Sequence, residues 1–103
     1  MFYFMKYNSK LALFNSSKGT MLILRILYEQ APLDKSTLQS EFEKYGVGGT
    51  AYNTSMEILE KLELIQSRPE QISRRGRASL LQSLTEKGKK IAENIVGIDD
   101  LLF

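Results

Sequence analysis

The chain of 103 residues contains no cysteine and no histidine. These two absences exclude disulfide bonds, zinc sites built from Cys and His, cysteine nucleophiles and any catalytic triad with a histidine base. The longest strongly apolar run, MLILRILY, is too short to cross a membrane. The apolar N-terminus is interrupted by Lys6 and Lys10 and does not have the pattern of a signal peptide. We therefore expect a cytoplasmic binding module rather than an enzyme, with no cofactor, no metal and no membrane contact.

What is present is the composition of one small globular domain. The mass is 11.8 kDa, with 43% hydrophobic and 25% charged residues. The net charge is only +2, but it is distributed unevenly. Residues 64–83 hold four arginines against one acid, and three of those arginines fall within the segment SRRGR. This cluster is the strongest charge signal in the chain.

The first thirty residues predict two apolar segments. Residues 2–14 fit both a helical face and the alternation of a strand, and we favour the helix. Residues 17–30 predict a helix that is apolar nearly all round and is therefore covered on more than one side. Ala31-Pro32 ends it, because proline disfavours helix at the residue before it.

Two short amphipathic helices then flank a glycine-rich turn. The first presents Leu38, Phe42 and Tyr45 on one face, and either Asp34 or Ser36 is its N-cap. Gly46 closes this helix, and Val47-Gly48-Gly49 makes the turn. Thr50 caps the second helix, residues 50–62. Its predicted inner face comprises Ala51, Ser55, Ile58, Leu59 and Leu62.

A hairpin and a last helix complete the pattern. Residues 64–68 predict a short strand, and Pro69 confines it to a sheet edge or a strand end. A polar, arginine-rich turn leads to a returning strand over residues 78–84. Thr85 caps the last helix, which we expect to end at Gly97 and to leave an apolar and acidic tail.

Two short helices around a glycine-containing turn are typical of a helix-turn-helix motif. In that motif the second helix enters the major groove of DNA with its N-terminal residues leading. Here that face begins with Thr50, Asn53 and Thr54. Asparagine pairs with adenine, and threonine contacts a base or a thymine methyl group. Tyr52 lies beside this face, where it either reaches a phosphate or packs on the hairpin.

The arginine-rich hairpin fits the same interpretation as a wing, residues 69–77. Arg74, Arg75 and Arg77 on a flexible loop can follow the phosphates or enter a minor groove. Arg68, on the strand before the loop, joins the candidate DNA-binding set. The alternative is an ordinary solvated hairpin tip.

In this order the segments resemble the winged-helix DNA-binding superfamily. MLILRILYEQ, KSTLQSEFEKYG and TAYNTSMEILEKLELI are similar to its three helices, and LTEKGKKIAE is similar to the junction after the wing in MarR-type, PadR-type and small archaeal regulators. The resemblance covers residues 17–96. It implies a mainly α fold with a small β-hairpin (α+β), and sequence-specific binding of double-stranded DNA by a homodimeric transcription regulator.

The apolar ends of the chain favour a homodimer. Residues 1–16 hold more apolar surface than a protein this small leaves in water, and residues 97–103 add to it. We expect both segments to pack across a two-fold axis. The candidate dimerisation residues are Phe2, Phe4, Tyr7, Leu11, Phe14, Ile98 and Leu102. The alternative is a monomer in which residues 2–14 fold back on their own domain.

Acidic residues on the candidate recognition helix keep a second function open. Glu57 and Glu60 put negative charge on its outer face, where Glu57 either reads a cytosine or points away from DNA. Lys61 flanks them and belongs to the candidate DNA-binding set. Winged helices with acidic recognition helices also bind proteins, so a protein-interaction module is the alternative. No small-molecule effector is indicated by the sequence.

Overall fold

The computed structural model describes residues 10–69 and 80–102. Within them the elements run, in chain order, α1 (Lys10–Phe14), α2 (Thr20–Gln30), β1 (Leu33–Asp34), α3 (Lys35–Glu43), α4 (Gly49–Lys61), β2 (Ile65–Pro69), β3 (Leu80–Leu84) and α5 (Glu86–Leu101). The expected mainly α fold with a small β part is confirmed. None of the helices in the described residues is long and apolar enough to cross a membrane.

The strands form an antiparallel sheet in the order β1-β3-β2. β2 is an edge strand, as Pro69 predicted, and Ile65 pairs with Leu84 at the base of the hairpin. The two-residue strand β1 was not predicted. It pairs Leu33 with Gln82 and so attaches the segment between α2 and α3 to the hairpin.

α2 is the central helix, packed against α3, α4, α5 and β3. Ile23, Leu24, Ile26 and Leu27 are each at most 2% exposed, which confirms the expectation of a helix covered on more than one side. Arg25, the charged residue in this apolar run, forms an ion pair with Asp99 of α5 and a second with Glu29. The ion pair with Asp99 ties the middle of α2 to the last turns of α5.

Two of the predicted helix caps are present. Asp34, one of the two candidates for α3, accepts a hydrogen bond from the backbone N–H of Thr37 at 2.6 Å, and this lowers the pKa of its carboxyl. Thr85 accepts one from the N–H of Gly88 at 3.0 Å and caps α5. Gly88 also meets the segment between α4 and β2 closely, because a Cβ there would lie 2.0 Å from the carbonyl oxygen of Leu64.

Four local predictions were wrong. Thr50 does not cap α4, which begins at Gly49 with Gly48 as its N-cap and without a side-chain hydrogen bond. Gly97 does not end α5, which continues to Leu101 because a single glycine weakens a helix without breaking it. Tyr45 lies beyond the end of α3 and is 60% exposed. Phe14 does not face a partner, since its ring is buried in the core of its own domain.

Candidate nucleic-acid interface

The outer face of α4 is polar and open to solvent. Its inner face is buried through Ser55, Met56, Ile58 and Leu59, which repeat at helical spacing. The opposite face carries the exposed candidates Thr50, Asn53, Thr54, Glu57 and Lys61. The predicted face is therefore formed as expected, and its first turns offer hydroxyl and amide groups at the helix surface.

Tyr52 does not belong to this face, and its assignment to DNA binding is corrected. The side chain is 4% exposed, and its ring lies 5.6 Å from that of Phe42, between centroids. The hydroxyl donates to the carbonyl oxygen of Lys35 at 3.2 Å. Burial raises the pKa of the phenol. Tyr52 therefore fixes α4 against the start of α3, the two helices of the predicted helix-turn-helix.

The N-terminal end of α4 borders an open hollow that sequence reasoning did not find. Residues 16–18, between α1 and α2, and residues 46–48, between α3 and α4, line it together with Thr50, Ala51 and Thr54. The Ser17 hydroxyl lies 2.6 Å from that of Ser55 and holds the segment before α2 against α4. Lys18 thus becomes an exposed cation beside the first turn of α4. Nothing in the sequence signals this, because only the packing of α2 on α4 brings Lys18 there.

Among the candidate DNA-binding residues, Arg68 lies on the hairpin and not on the outer face of α4. Arg68 is exposed on β2 and pairs in register with Leu81 of β3. Because side chains alternate along a strand, Arg68 shares one face with Gln66, while Ser67 and Gln82 occupy the other and hydrogen-bond at 2.9 Å. Arg74, Arg75 and Arg77 lie outside the described residues.

The candidate dimerisation residues separate into three groups. Leu11, Ile98 and Leu102 are 73%, 59% and 75% exposed, and Leu101 beside them is 86% exposed. Phe14 is buried in its own chain, as described above. Phe2, Phe4 and Tyr7 lie outside the described residues. An exposed apolar end of α5 is therefore present.

Within residues 10–69 and 80–102, no cluster of acidic side chains is placed to hold a metal ion.

Comparison with known proteins identifies the fold. No protein-family model and no curated protein matches this sequence. Among solved structures, SSV1 F-93 superimposes with a TM-score of 0.61 at 20% identity, covering 80% of this chain and 87% of that one. The circadian clock associated protein Pex from Anabaena gives 0.58 at 18% identity, with 82% of each chain covered. RV1404 from Mycobacterium tuberculosis gives 0.63 at 23% identity, covering 91% of this chain and 66% of that one.

These structures share a winged-helix fold. In this chain α3 and α4 form the helix pair of that fold, and β2 and β3 form the base of the wing. The chain therefore has a MarR-like winged-helix fold.

Proposed function

We propose that the protein is a transcription regulator that binds double-stranded DNA as a homodimer in the cytoplasm, with α4 in the major groove. The observation that carries this proposal is the exposed polar face at the start of α4, where Asn53 and Thr54 are held outward by the buried face behind them. A recognition helix meets base edges with these first turns. Lys18 supplies an exposed cation beside the same turns, and a cation there favours the binding of a phosphate.

Asn53→Ala tests base reading. A binding site is first selected from a pool of random duplexes, and affinity is then measured on that site and on random DNA. The substitution is expected to cost about 1–3 kcal/mol on the selected site and little on random DNA. Asn94→Ala is the matched control, because Asn94 is an exposed asparagine of α5, away from α4. Equal losses on both DNAs would make Asn53 a phosphate contact, and no loss on either would contradict base reading.

Replacing Arg74, Arg75 and Arg77 by alanine tests the wing. Binding to every sequence is expected to weaken, and the slope of log K against log salt should shrink by about 0.9 for each phosphate that is no longer neutralised. The control removes charge elsewhere, through Lys87→Ala and Lys90→Ala on the exposed surface of α5. If the slope is unchanged in the arginine variant, or changes equally in the lysine variant, the assignment of the wing to the DNA interface is wrong.

The homodimer is supported by the exposed apolar end of α5. Sedimentation of the full chain at micromolar concentration should give about twice 11.8 kDa. Leu101→Asp with Leu102→Asp should then give monomers, whereas Tyr45→Ser, at another exposed apolar residue, should not. A full-length monomer that binds a half-site with full affinity would overturn the dimer.

A protein-interaction module is the second candidate, favoured by the exposed Glu57 and Glu60 on α4. It predicts little binding to random duplex DNA at any salt concentration. The DNA regulator predicts binding that weakens steeply as salt rises.

A further inference from the structure

Glu57 occupies the centre of the outer face of α4. Its neighbours on the helix surface, one turn before and one turn after it, are all exposed: Asn53, Thr54, Glu60 and Lys61. Residues that read base edges from a helix are spaced three or four positions apart and span about seven positions. Thr50, Asn53 and Glu57 have this spacing. Glu57 therefore shares the face of Asn53 and Thr54 and does not point away from it.

Glu60 carries the same charge at the edge of this face. One turn before it lies Met56, which is 6% exposed and belongs to the core. The pKa of the Tyr52 phenol, on the inner side of α4, is raised by burial and raised further by the charge of Glu60. The two carboxylates of the helix therefore differ in position, and Glu60 serves as an internal comparison for Glu57.

Cations lie at both ends of the outer face, with Glu57 between them. Lys18 lies beside the first turn of α4, and Lys61 is in its last turn. None of these three side chains forms an ion pair with any of the described residues. The major groove, about 12 Å wide, has phosphates on both sides and base edges between them. The order of cation, carboxylate and cation along α4 therefore matches the order of phosphate, base edge and phosphate.

Only one base presents a donor without an acceptor to this groove. Cytosine offers its N4 amino group, guanine offers two acceptors, thymine offers an acceptor, and adenine places the acceptor N7 beside its amino group. An ionised carboxylate accepts hydrogen bonds and donates none. Opposite guanine or thymine it would be desolvated without a partner, which weakens binding.

We propose that Glu57 is a specificity-determining residue, which selects a cytosine in the major groove by accepting a hydrogen bond from the N4 amino group. This inference rests on the proposed function, the binding of DNA through α4. Lys18 and Lys61 neutralise phosphates of any sequence, whereas Glu57 is stabilised at one base and repelled elsewhere. The acidic residue on the recognition helix thus favours the correct site by weakening binding to others.

The experiment compares the base preferences of the wild type, E57Q and E60Q. A site is selected by the full wild-type chain from random duplexes, and each base pair of that site is then replaced by the other three. Affinities are measured on this set at one salt concentration. At the position that Glu57 reads, replacing cytosine should weaken wild-type binding about 5- to 150-fold, or about 1–3 kcal/mol at 1.4 kcal/mol for each factor of ten.

The two variants remove the same charge from the centre and from the edge of the face. In E57Q the preference for cytosine should fall to within about twofold or change to adenine, because glutamine pairs with N6 and N7 of adenine. In E60Q the wild-type preference should remain at every position.

The role of Glu57 is overturned if E57Q keeps every cytosine preference of the wild type, if E60Q loses the same preference, or if the selected site has no cytosine preference. In each of these cases the protein still binds DNA, and the proposed function stands. If the wild type binds no duplex at any salt concentration, the proposed function is overturned and the role of Glu57 with it.

Discussion

Gly88→Ala tests the junction between α5 and the rest of the domain. The structure predicts that this substitution lowers the free energy of unfolding. A Cβ at Gly88 would lie 2.0 Å from the carbonyl oxygen of Leu64 and 2.9 Å from its carbon. These are backbone atoms of a residue that is 1% exposed, and the same oxygen accepts the N–H of Thr85 at 3.1 Å. The carbonyl therefore cannot turn aside without breaking this bond, so the first turn of α5 has to move.

Overpacking of this kind costs about 1–3 kcal/mol, and replacing glycine by alanine inside a helix returns up to about 1 kcal/mol. We expect a net loss of about 1–2 kcal/mol in the free energy of unfolding. For a domain of this size that lowers Tm by roughly 5–15 °C. Equilibrium unfolding in urea, followed by far-UV circular dichroism at one fixed protein concentration, measures it.

Gly97→Ala is the matched control in the same helix. Gly97 is exposed, and a Cβ there would have no atom within 4 Å. This variant should gain about 0.5–1 kcal/mol, because alanine restricts the unfolded chain and favours the helix. If Gly88→Ala proves as stable as Gly97→Ala, the close packing of α5 against Leu64 is wrong.

Three further substitutions test the two caps and the corrected tyrosine. Asp34→Ala should cost about 0.5–2 kcal/mol at neutral pH. The pKa of Asp34 is lowered in the folded state by its bond to Thr37, so this stabilisation is present above the unfolded pKa and is lost as pH falls through the folded pKa. Thr85→Ala, at a cap that does not titrate, should show no such pH dependence, and equal pH profiles would contradict the assignment. Tyr52→Phe should lower the free energy of unfolding by about 0.5–1.5 kcal/mol, because it removes the hydrogen bond to Lys35. It should leave the affinity for DNA unchanged. A drop in affinity without a drop in stability would return Tyr52 to the interface.

Helix boundaries were predictable where a side chain marks them. Thr85 has the hydroxyl that an N-cap needs, and Pro32 stops α2, so both predictions agree with the structure. Thr50 has the same hydroxyl, but the flexible Gly48-Gly49 pair lets the helix start earlier. A capping side chain therefore sets the start of a helix only where the preceding residues do not let the helix begin earlier.

Long-range packing was less accessible to sequence reasoning. Tyr52 is polar at one end and lies next to the outward Asn53, so periodicity alone did not show that its ring packs on Phe42. The strand β1 is too short to show alternation, and it exists because Leu33 reaches Gln82. The position of Lys18 beside the first turn of α4 follows from tertiary contacts that no local pattern encodes.

Asp34 ends β1 and also caps α3, so the sheet and the helix-turn-helix are joined with no intervening residue. An inserted residue here would rotate α3 by about 100° relative to the strand or would break the pairing of Leu33 with Gln82. The angle between the hairpin and α3 is therefore fixed, because no linker residue separates β1 from α3. Variation among related sequences should accordingly spare this junction and accumulate in exposed turns such as that around Tyr45, where an added residue changes no pairing.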